Sequence, residues 1–292
     1  GTGVMGRMSD ILSSDGPSYG FSTDLIALDA PTIAVEGGPT TLSVLVSSNG
    51  ASTYSGKSSS DEAKFDTRDY LLKLNDIHTS ESSLFGETWS RNMLKAVHDT
   101  DQIVTLLENT SLNHGADGAA GTILKTMASH VDRGVERDFF HVRLGTWDNH
   151  FSLKQNLRGS FETIDSFLAD LEKELKAQNL WDSVTLVTAS DFGRTLTANS
   201  NVGSDHAWGG NYFIMGGGVN GGKIHGDFPD DFTNDGPLTV GNRGSFIPTL
   251  AWEAMWNGVS EWMGVETGDI EKVIPNKDRT GSYLFPAAEL YK

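Results

Sequence analysis

The stretch RDFFHVRLGTWDNH, residues 137–150, decides the fold that we predict for this chain. Its first eight residues have the apolar and aromatic content of a β-strand, and a turn, GTWDNH, follows at 145–150. A long amphipathic helix comes next, and a buried strand is predicted at 184–189. The apolar residues at helical spacing are Phe161, Ile164, Phe167, Leu168, Leu171 and Leu175. A strand–helix–strand unit favours parallel pairing with a right-handed crossover, so we predict an α/β fold with a mostly parallel sheet flanked by helices.

Outward from this unit, the patterns are weaker. The first sixty residues favour irregular or β-like structure, with short apolar runs at 25–28 and 42–46 and a polar loop at 47–60. Helical spacing begins near residue 61 and includes a helix at 120–131. A short strand is expected at 211–215, before a turn at Gly216, Gly217 and Gly218, and a helix at 246–262. No repeat or linker divides residues 1–292, so a single domain is predicted.

Composition excludes several classes of protein. The 292 residues carry a net charge of -17, which opposes binding to nucleic acid and to anionic membranes. No apolar run reaches the roughly 20 residues of a membrane span. Because the chain has no cysteine, disulfides and thiolate metal sites are excluded. An anionic substrate would need locally concentrated positive charge, for which a bound metal ion is the simplest source.

The first cluster of candidate site residues is Asp148 and His150, in the turn after the first strand. A carboxylate and an imidazole two residues apart in a turn can face one centre, and both are ligands of divalent metals. On spacing alone the alternative stays open that Asp148 caps the turn and His150 is exposed beside it.

The second cluster, SDFGRT at 190–195, follows the predicted strand at 184–189. Asp191 is a candidate metal ligand, and Arg194 is a candidate catalytic donor because its planar guanidinium matches anionic oxygens. In the alternative interpretation, Asp191 caps backbone amides and Arg194 pairs with a carboxylate.

The third cluster, GSDHAWGG at 203–210, places Asp205 and His206 in a glycine-rich loop. The alternative is a surface loop with an incidental histidine. The order of the clusters favours a metal site, since polar residues at the ends of neighbouring strands meet at one edge of an α/β sheet. The remaining histidines lie outside these turns. No Gly-Lys-Ser/Thr phosphate loop and no Gly-x-Ser-x-Gly elbow is present.

At these clusters the sequence resembles a family known as domain of unknown function 1501, which is grouped with the alkaline phosphatases and sulfatases. The resemblance rests on GTWDNH at 145–150, LWDSVTLVT at 180–188, SDFGRT at 190–195 and GSDH at 203–206. It continues in MGGGVNGG at 215–222, IPT at 247–249, WMGV at 262–265 and IPN at 274–276. The strongest similarity is therefore expected over residues 145–276.

The resemblance implies an alkaline-phosphatase/sulfatase-like sheet with a divalent metal, such as zinc, calcium or manganese, at the strand ends. By analogy, Asp148, His150 and His206 would hold one metal, and Asp191 would belong to a second position. Asp205 is counted with them among the candidate metal ligands. The superfamily usually has a histidine after that aspartate, where this chain has Phe192.

The resemblance also implies that the first strand and the nucleophile lie upstream, in a missing N-terminal segment that would complete the site. The expected function is hydrolysis of a phosphate or sulfate ester by the complete parent protein. The alternative is a non-catalytic structural or binding protein that retains the fold. Periplasmic or extracellular localisation is the expectation for this family.

Overall fold

The computed structural model describes residues 2–14, 16, 18–38, 43–46, 67–76, 83–281 and 283–292. Its helices are α1 (Val4–Leu12), α2 (Thr67–Asn75), α3 (Leu84–Asn109), α4 (Gly118–Ala128), α5 (His130–Arg133), α6 (Leu153–Ala177), α7 (Trp252–Met263), α8 (Ile270–Val273) and α9 (Ala287–Leu290). Among these described helices, none has the length and apolar character needed to cross a membrane. The predicted polar loop at 47–60 lies outside the described residues.

The described strands are as numerous as the helices but mostly shorter, and six of the nine have only two residues. They are β1 (Thr23–Leu28), β2 (Ser43–Val46), β3 (Arg137–His141), β4 (Leu186–Val187), β5 (Gly193–Arg194), β6 (His206–Ala207), β7 (Ile214–Met215), β8 (Thr239–Val240) and β9 (Ser245–Phe246). The first three form a parallel sheet in the order β2-β1-β3. The others form antiparallel pairs, β4 with β7, β5 with β6 and β8 with β9.

Strand β1 is the centre of the parallel sheet and is buried on both faces. Leu25, Ile26, Ala27 and Leu28 are each 2% exposed or less. A continuous apolar run of this kind is typical of a parallel strand that is covered on both sides. Successive side chains of a strand point to opposite faces, so β1 contributes to two separate layers of core.

The two layers lie on opposite faces of the sheet. Helices α1 and α8 cover one face, in a cluster of Met8, Leu12, Leu25, Ala27, Val35, Phe139, Val265, Ile270, Val273 and Ile274. Helices α3, α4 and α6 cover the other, in a cluster of Ile26, Leu28, Leu107, Ala120, Ile123, Leu124, Phe167, Leu171 and Leu175. The first layer joins the two ends of the chain, as the hydrogen bond from Arg7 Nε to the Val273 carbonyl (2.7 Å) illustrates.

The predicted parallel pairing of the strands at 137–144 and 184–189 is wrong. Strand β3 pairs in parallel with β1, whereas β4 has only two residues and pairs antiparallel with β7. The amide of Thr188 continues that pairing by donating to the Phe213 carbonyl (3.1 Å). Strand β7 therefore occupies one edge of β4. The residues of β4 are half-buried rather than buried.

Two further elements differ from the predictions, one in its boundary and one in its type. The helix expected at 246–262 begins at Trp252, because Ser245 and Phe246 form β9 and Pro248 follows. The N-terminal residues, expected to be irregular or β-like, form α1. The glycines that suggested a loop allow close packing instead, since a Cβ on Gly6 would lie 1.9 Å from the Glu36 carbonyl oxygen.

Candidate metal centre

Asp148 and His150 lie in the loop that joins β3 to α6. This loop contacts the 199–204 loop through backbone atoms, since the Ser204 amide donates to the Asn149 carbonyl (3.1 Å). A Cβ on Gly203 would lie 2.1 Å from the His150 carbonyl carbon. Glycine is therefore required at position 203 for the two loops to meet.

The hairpin of β5 and β6 brings Arg194 and His206 to the same place. Arg194 is directly opposite His206 in the antiparallel register, and Gly193 is opposite Ala207. A Cβ on Gly193 would lie 2.1 Å from the Gly209 carbonyl oxygen, so this strand also depends on glycine.

The two loops and the hairpin together form the Asp148/His150/His206 cluster. Asp148 Oδ1 is 2.7 Å from His206 Nε2 and 2.9 Å from His150 Nε2, and the two Nε2 atoms are 3.3 Å apart. The three side chains are 43–57% exposed, so the cluster is open to solvent. Three groups that can each offer one ligand atom thus converge on one accessible point.

Arg194 borders the cluster and is held by Ser204. Its Nε donates to Ser204 Oγ (2.8 Å), its Nη2 donates to the Ser204 carbonyl, and its Nη1 lies 3.1 Å from Asp148 Oδ1. The hydrogen bond from His206, reinforced by Arg194, holds the pKa of Asp148 below its usual value. Asp148 is accordingly a carboxylate at neutral pH, the form in which it can bind a cation.

Asp205 lies behind His150 and outside the cluster. Its Oδ1 is 3.2 Å from Nδ1 of His150, the ring nitrogen that faces away from Asp148 and His206. The same oxygen accepts from Asn199 Nδ2 (3.1 Å). The structure thus places Asp205 as a hydrogen-bond partner of His150, whereas the sequence analysis counted it among the candidate metal ligands.

A comparison of the sequence with models of protein families gives one match, and it covers most of this site. Residues 119–242 match the model described as "Protein of unknown function (DUF1501)". The matched segment contains all three residues of the Asp148/His150/His206 cluster, and Arg194. It begins before the predicted 145–276 range and ends inside it. No match was found among curated proteins or among solved structures.

Asp191 also lies within the matched residues 119–242, but it is not part of the Asp148/His150/His206 cluster. Its charge acts instead on His141 and Tyr212. Burial lowers the pKa of His141, and Asp191 opposes that effect; burial and Asp191 together raise the pKa of Tyr212. Phe192 stacks on His206, with ring centroids 4.1 Å apart and planes 13° apart. An aromatic ring therefore covers one face of that histidine.

One residue near the centre was missed by the sequence prediction. Arg243 pairs through Nη1 with Asp205 Oδ2. It lies one position beyond the matched residues 119–242. It lies in the turn between β8 and β9, flanked by Gly241 and Gly244, both with positive φ. The turn signal was visible in the sequence GNRG, but nothing local links it to Asp205, 38 residues away.

Proposed function

We propose that Asp148, His150 and His206 hold one divalent metal ion, and that the protein is a metal-dependent hydrolase of a phosphate or sulfate ester. The observation that carries the proposal is the convergence of Asp148 Oδ1 with two imidazole Nε2 atoms at 2.7–3.3 Å. Without a cation between them, the Nε2 atoms of His150 and His206 share one Asp148 oxygen and face each other directly. A cation would be a common partner for all three atoms.

The residues present fit a metal ion in both spacing and chemistry. Ligands of tetrahedral zinc lie about 2.0–2.2 Å from the ion and hence about 3.3 Å from each other, which is the separation of the two Nε2 atoms. Asp148 Oδ1 lies closer to these nitrogens, at 2.7 and 2.9 Å, and would move outward by a few tenths of an ångström to admit the ion. Two imidazole nitrogens and one carboxylate oxygen suit zinc or manganese better than calcium, which prefers oxygen ligands. Three protein ligands on an open surface are typical of a catalytic site rather than a structural one.

A bound divalent ion would polarise an ester oxygen and lower the pKa of a coordinated hydroxyl group or water. Arg194 supports this chemistry from the protein side. Its guanidinium is fixed by two hydrogen bonds to Ser204, and its remaining terminus faces Asp148. It would therefore orient Asp148 and donate to a non-bridging oxygen of the substrate. Local positive charge of this kind is needed to attract an anion to a protein with a net charge of -17.

The metal content of the purified chain tests the proposal. Elemental mass spectrometry should find about one equivalent of zinc or manganese, and a variant with Asp148, His150 and His206 all changed to Ala should lose it. His225→Ala is the matched control, because His225 also faces a carboxylate, that of Glu289 at 3.6 Å, but lies outside the cluster. Equal metal content in the triple variant and the parent would refute the assignment.

A non-catalytic metal-binding protein is the second candidate. It is favoured by the placement of Asp191 away from the cluster and by the Phe192 ring on His206, which leave a single metal position there. The two candidates differ in turnover. Hydrolysis of an aryl phosphate or aryl sulfate by the metal-loaded protein, above a metal-stripped control, would support the hydrolase and exclude the binding protein.

A further inference from the structure

We infer that Arg243, acting through Asp205, is a positioning residue that fixes the ring of His150 for metal binding. The inference rests on the proposed metal centre and extends it to Arg243 in the turn between β8 and β9, one position beyond the family match. It is carried by a continuous chain of contacts from Arg243 to Asp205 and from Asp205 to His150.

The first step concerns the two nitrogens of His150. Nε2 faces Asp148 and His206, while Nδ1 faces Asp205 Oδ1 at 3.2 Å. A carboxylate can only accept a hydrogen bond, so the hydrogen bond with Asp205 favours the tautomer that carries its proton on Nδ1. Asp148 Oδ1, although 2.9 Å from Nε2 of His150, accepts its hydrogen bond from His206 instead. In that tautomer the lone pair on Nε2 is available to a metal ion, which is the usual arrangement of a carboxylate behind a histidine ligand.

The second step concerns the orientation of Asp205. Each of its two oxygens has a donor of its own, Asn199 Nδ2 for Oδ1 and Arg243 Nη1 for Oδ2. Its backbone is also fixed, because its amide donates to Thr195 Oγ1 and its carbonyl accepts from the Thr195 amide, both at 3.0 Å. Both oxygens of the Asp205 carboxylate are thus fixed by hydrogen bonds. Of the two donors, Arg243 is the one that is distant in sequence.

The third step explains how Arg243 reaches the site. The turn that carries it is joined to the 195–197 segment by hydrogen bonds from the Thr197 amide to the Arg243 carbonyl (3.0 Å) and from the Leu196 amide to the Gly244 carbonyl (2.9 Å). Gly244 has a φ of 68°, which favours glycine, and a Cβ there would lie 2.8 Å from Asn234 Oδ1. The hairpin is therefore anchored beside the metal centre by its backbone, independently of the Arg243 side chain.

Zinc affinity, measured by competition with a chromophoric chelator, gives the first test. Asp205→Asn should weaken zinc binding by about 10- to 100-fold, the usual effect of removing such a partner, and Arg243→Gln should weaken it by up to about tenfold. Arg243→Lys should recover part of the loss because it restores a cation. Arg279→Gln, an exposed arginine elsewhere in the chain, is the control and should bind zinc like the parent.

The tautomer of His150 gives the second test and needs no metal. In ¹⁵N NMR of the metal-free chain at pH 8, the parent should show His150 protonated on Nδ1, and both Asp205→Asn and Arg243→Gln should increase the other tautomer. His150→Gln assigns the signal. Unchanged tautomers in both variants would overturn the inference, as would parent-like zinc affinity. A parent chain that binds neither zinc nor manganese would instead refute the proposed function, while the tautomer populations would still decide the role of Arg243.

Discussion

At the scale of single residues, the backbone beside the centre is strained. Val202 has a φ of 57° and is 71% exposed. A β-branched residue in the left-handed region is an outlier, since its side chain is crowded there. Val202 also forms an isolated β-bridge with Phe151, immediately after His150. The strain is therefore located where the two loops of the candidate metal centre meet, and backbone strain of this kind is often found at functional sites.

Replacing Val202 with Gly should stabilise the protein by about 1 kcal/mol, because glycine adopts this conformation without strain and little packing is lost. The free energy of unfolding in urea measures the effect. Val131→Gly is the matched control: Val131 is 74% exposed but lies in helix α5, where glycine should destabilise by about 0.5–1 kcal/mol. Destabilisation by both substitutions would contradict the assignment of strain to residue 202.

At the scale of secondary-structure elements, helix α6 anchors the segment before α4 through a buried carboxylate. Glu174 is fully buried. Its Oε1 accepts from the amide and the side chain of Asn113 (2.9 and 3.0 Å) and from Gln178 (2.9 Å), and its Oε2 accepts from the His114 amide (2.8 Å). Burial alone would raise the pKa of Glu174, but these hydrogen bonds outweigh it and lower the pKa.

Glu174→Gln should cost about 2 kcal/mol at pH 7, because the new amide group would face donors and the charge-assisted bonds would be lost. Since the folded-state pKa is lowered, the contribution of Glu174 is fully present above its unfolded pKa, about 4.3, and is lost as the pH falls through the lower folded value. The difference in the free energy of unfolding in urea between parent and variant should therefore shrink as the pH falls from 7 to 3. Glu172→Gln, a half-buried position on the same helix, removes only the surface ion pair with Lys176 and should cost no more than about 0.5 kcal/mol.

The elements that the sequence predicted are those specified by local patterns. The apolar periodicity of Phe167, Leu171 and Leu175 was sufficient to predict α6, and those side chains are buried in the structure. The pairing of β4 could not be predicted in the same way. Whether Leu186 and Val187 join β3 or β7 depends on competition between distant segments, which periodicity does not describe.

In the candidate site too, local sequence patterns predicted some residues, whereas others depend on tertiary contacts. Asp148, His150 and His206 were selected by their spacing and by their positions after predicted strands, and the structure brings them together. Arg243 was not selected, because its role follows from a tertiary contact with Asp205 and not from its neighbours in sequence. Asp205 was selected for its residue type, but only the structure shows which nitrogen of His150 it faces.

At the scale of the whole molecule, β1 couples the two layers of core. Leu25 and Ala27 belong to the layer under α1 and α8, while Ile26 and Leu28 belong to the layer under α4 and α6. Helix α8 is thus packed against a strand that also supports α4 and α6, whose core residues lie within the residues matched by the family model. This arrangement favours unfolding as a single unit.

A cavity on the α8 side should therefore weaken the whole protein and not only the C-terminal segment. Ile270 is 2% exposed, and Ile270→Ala should cost about 2–5 kcal/mol through lost burial and the cavity left behind. If β1 transmits this loss, tryptophan fluorescence and far-ultraviolet circular dichroism should report one coincident urea transition at a lower midpoint. Ile224→Ala, at a 74% exposed position, should leave the midpoint within about 0.5 kcal/mol of the parent. Two separate transitions in Ile270→Ala would mean that the C-terminal segment folds independently, and that the sheet does not couple the layers.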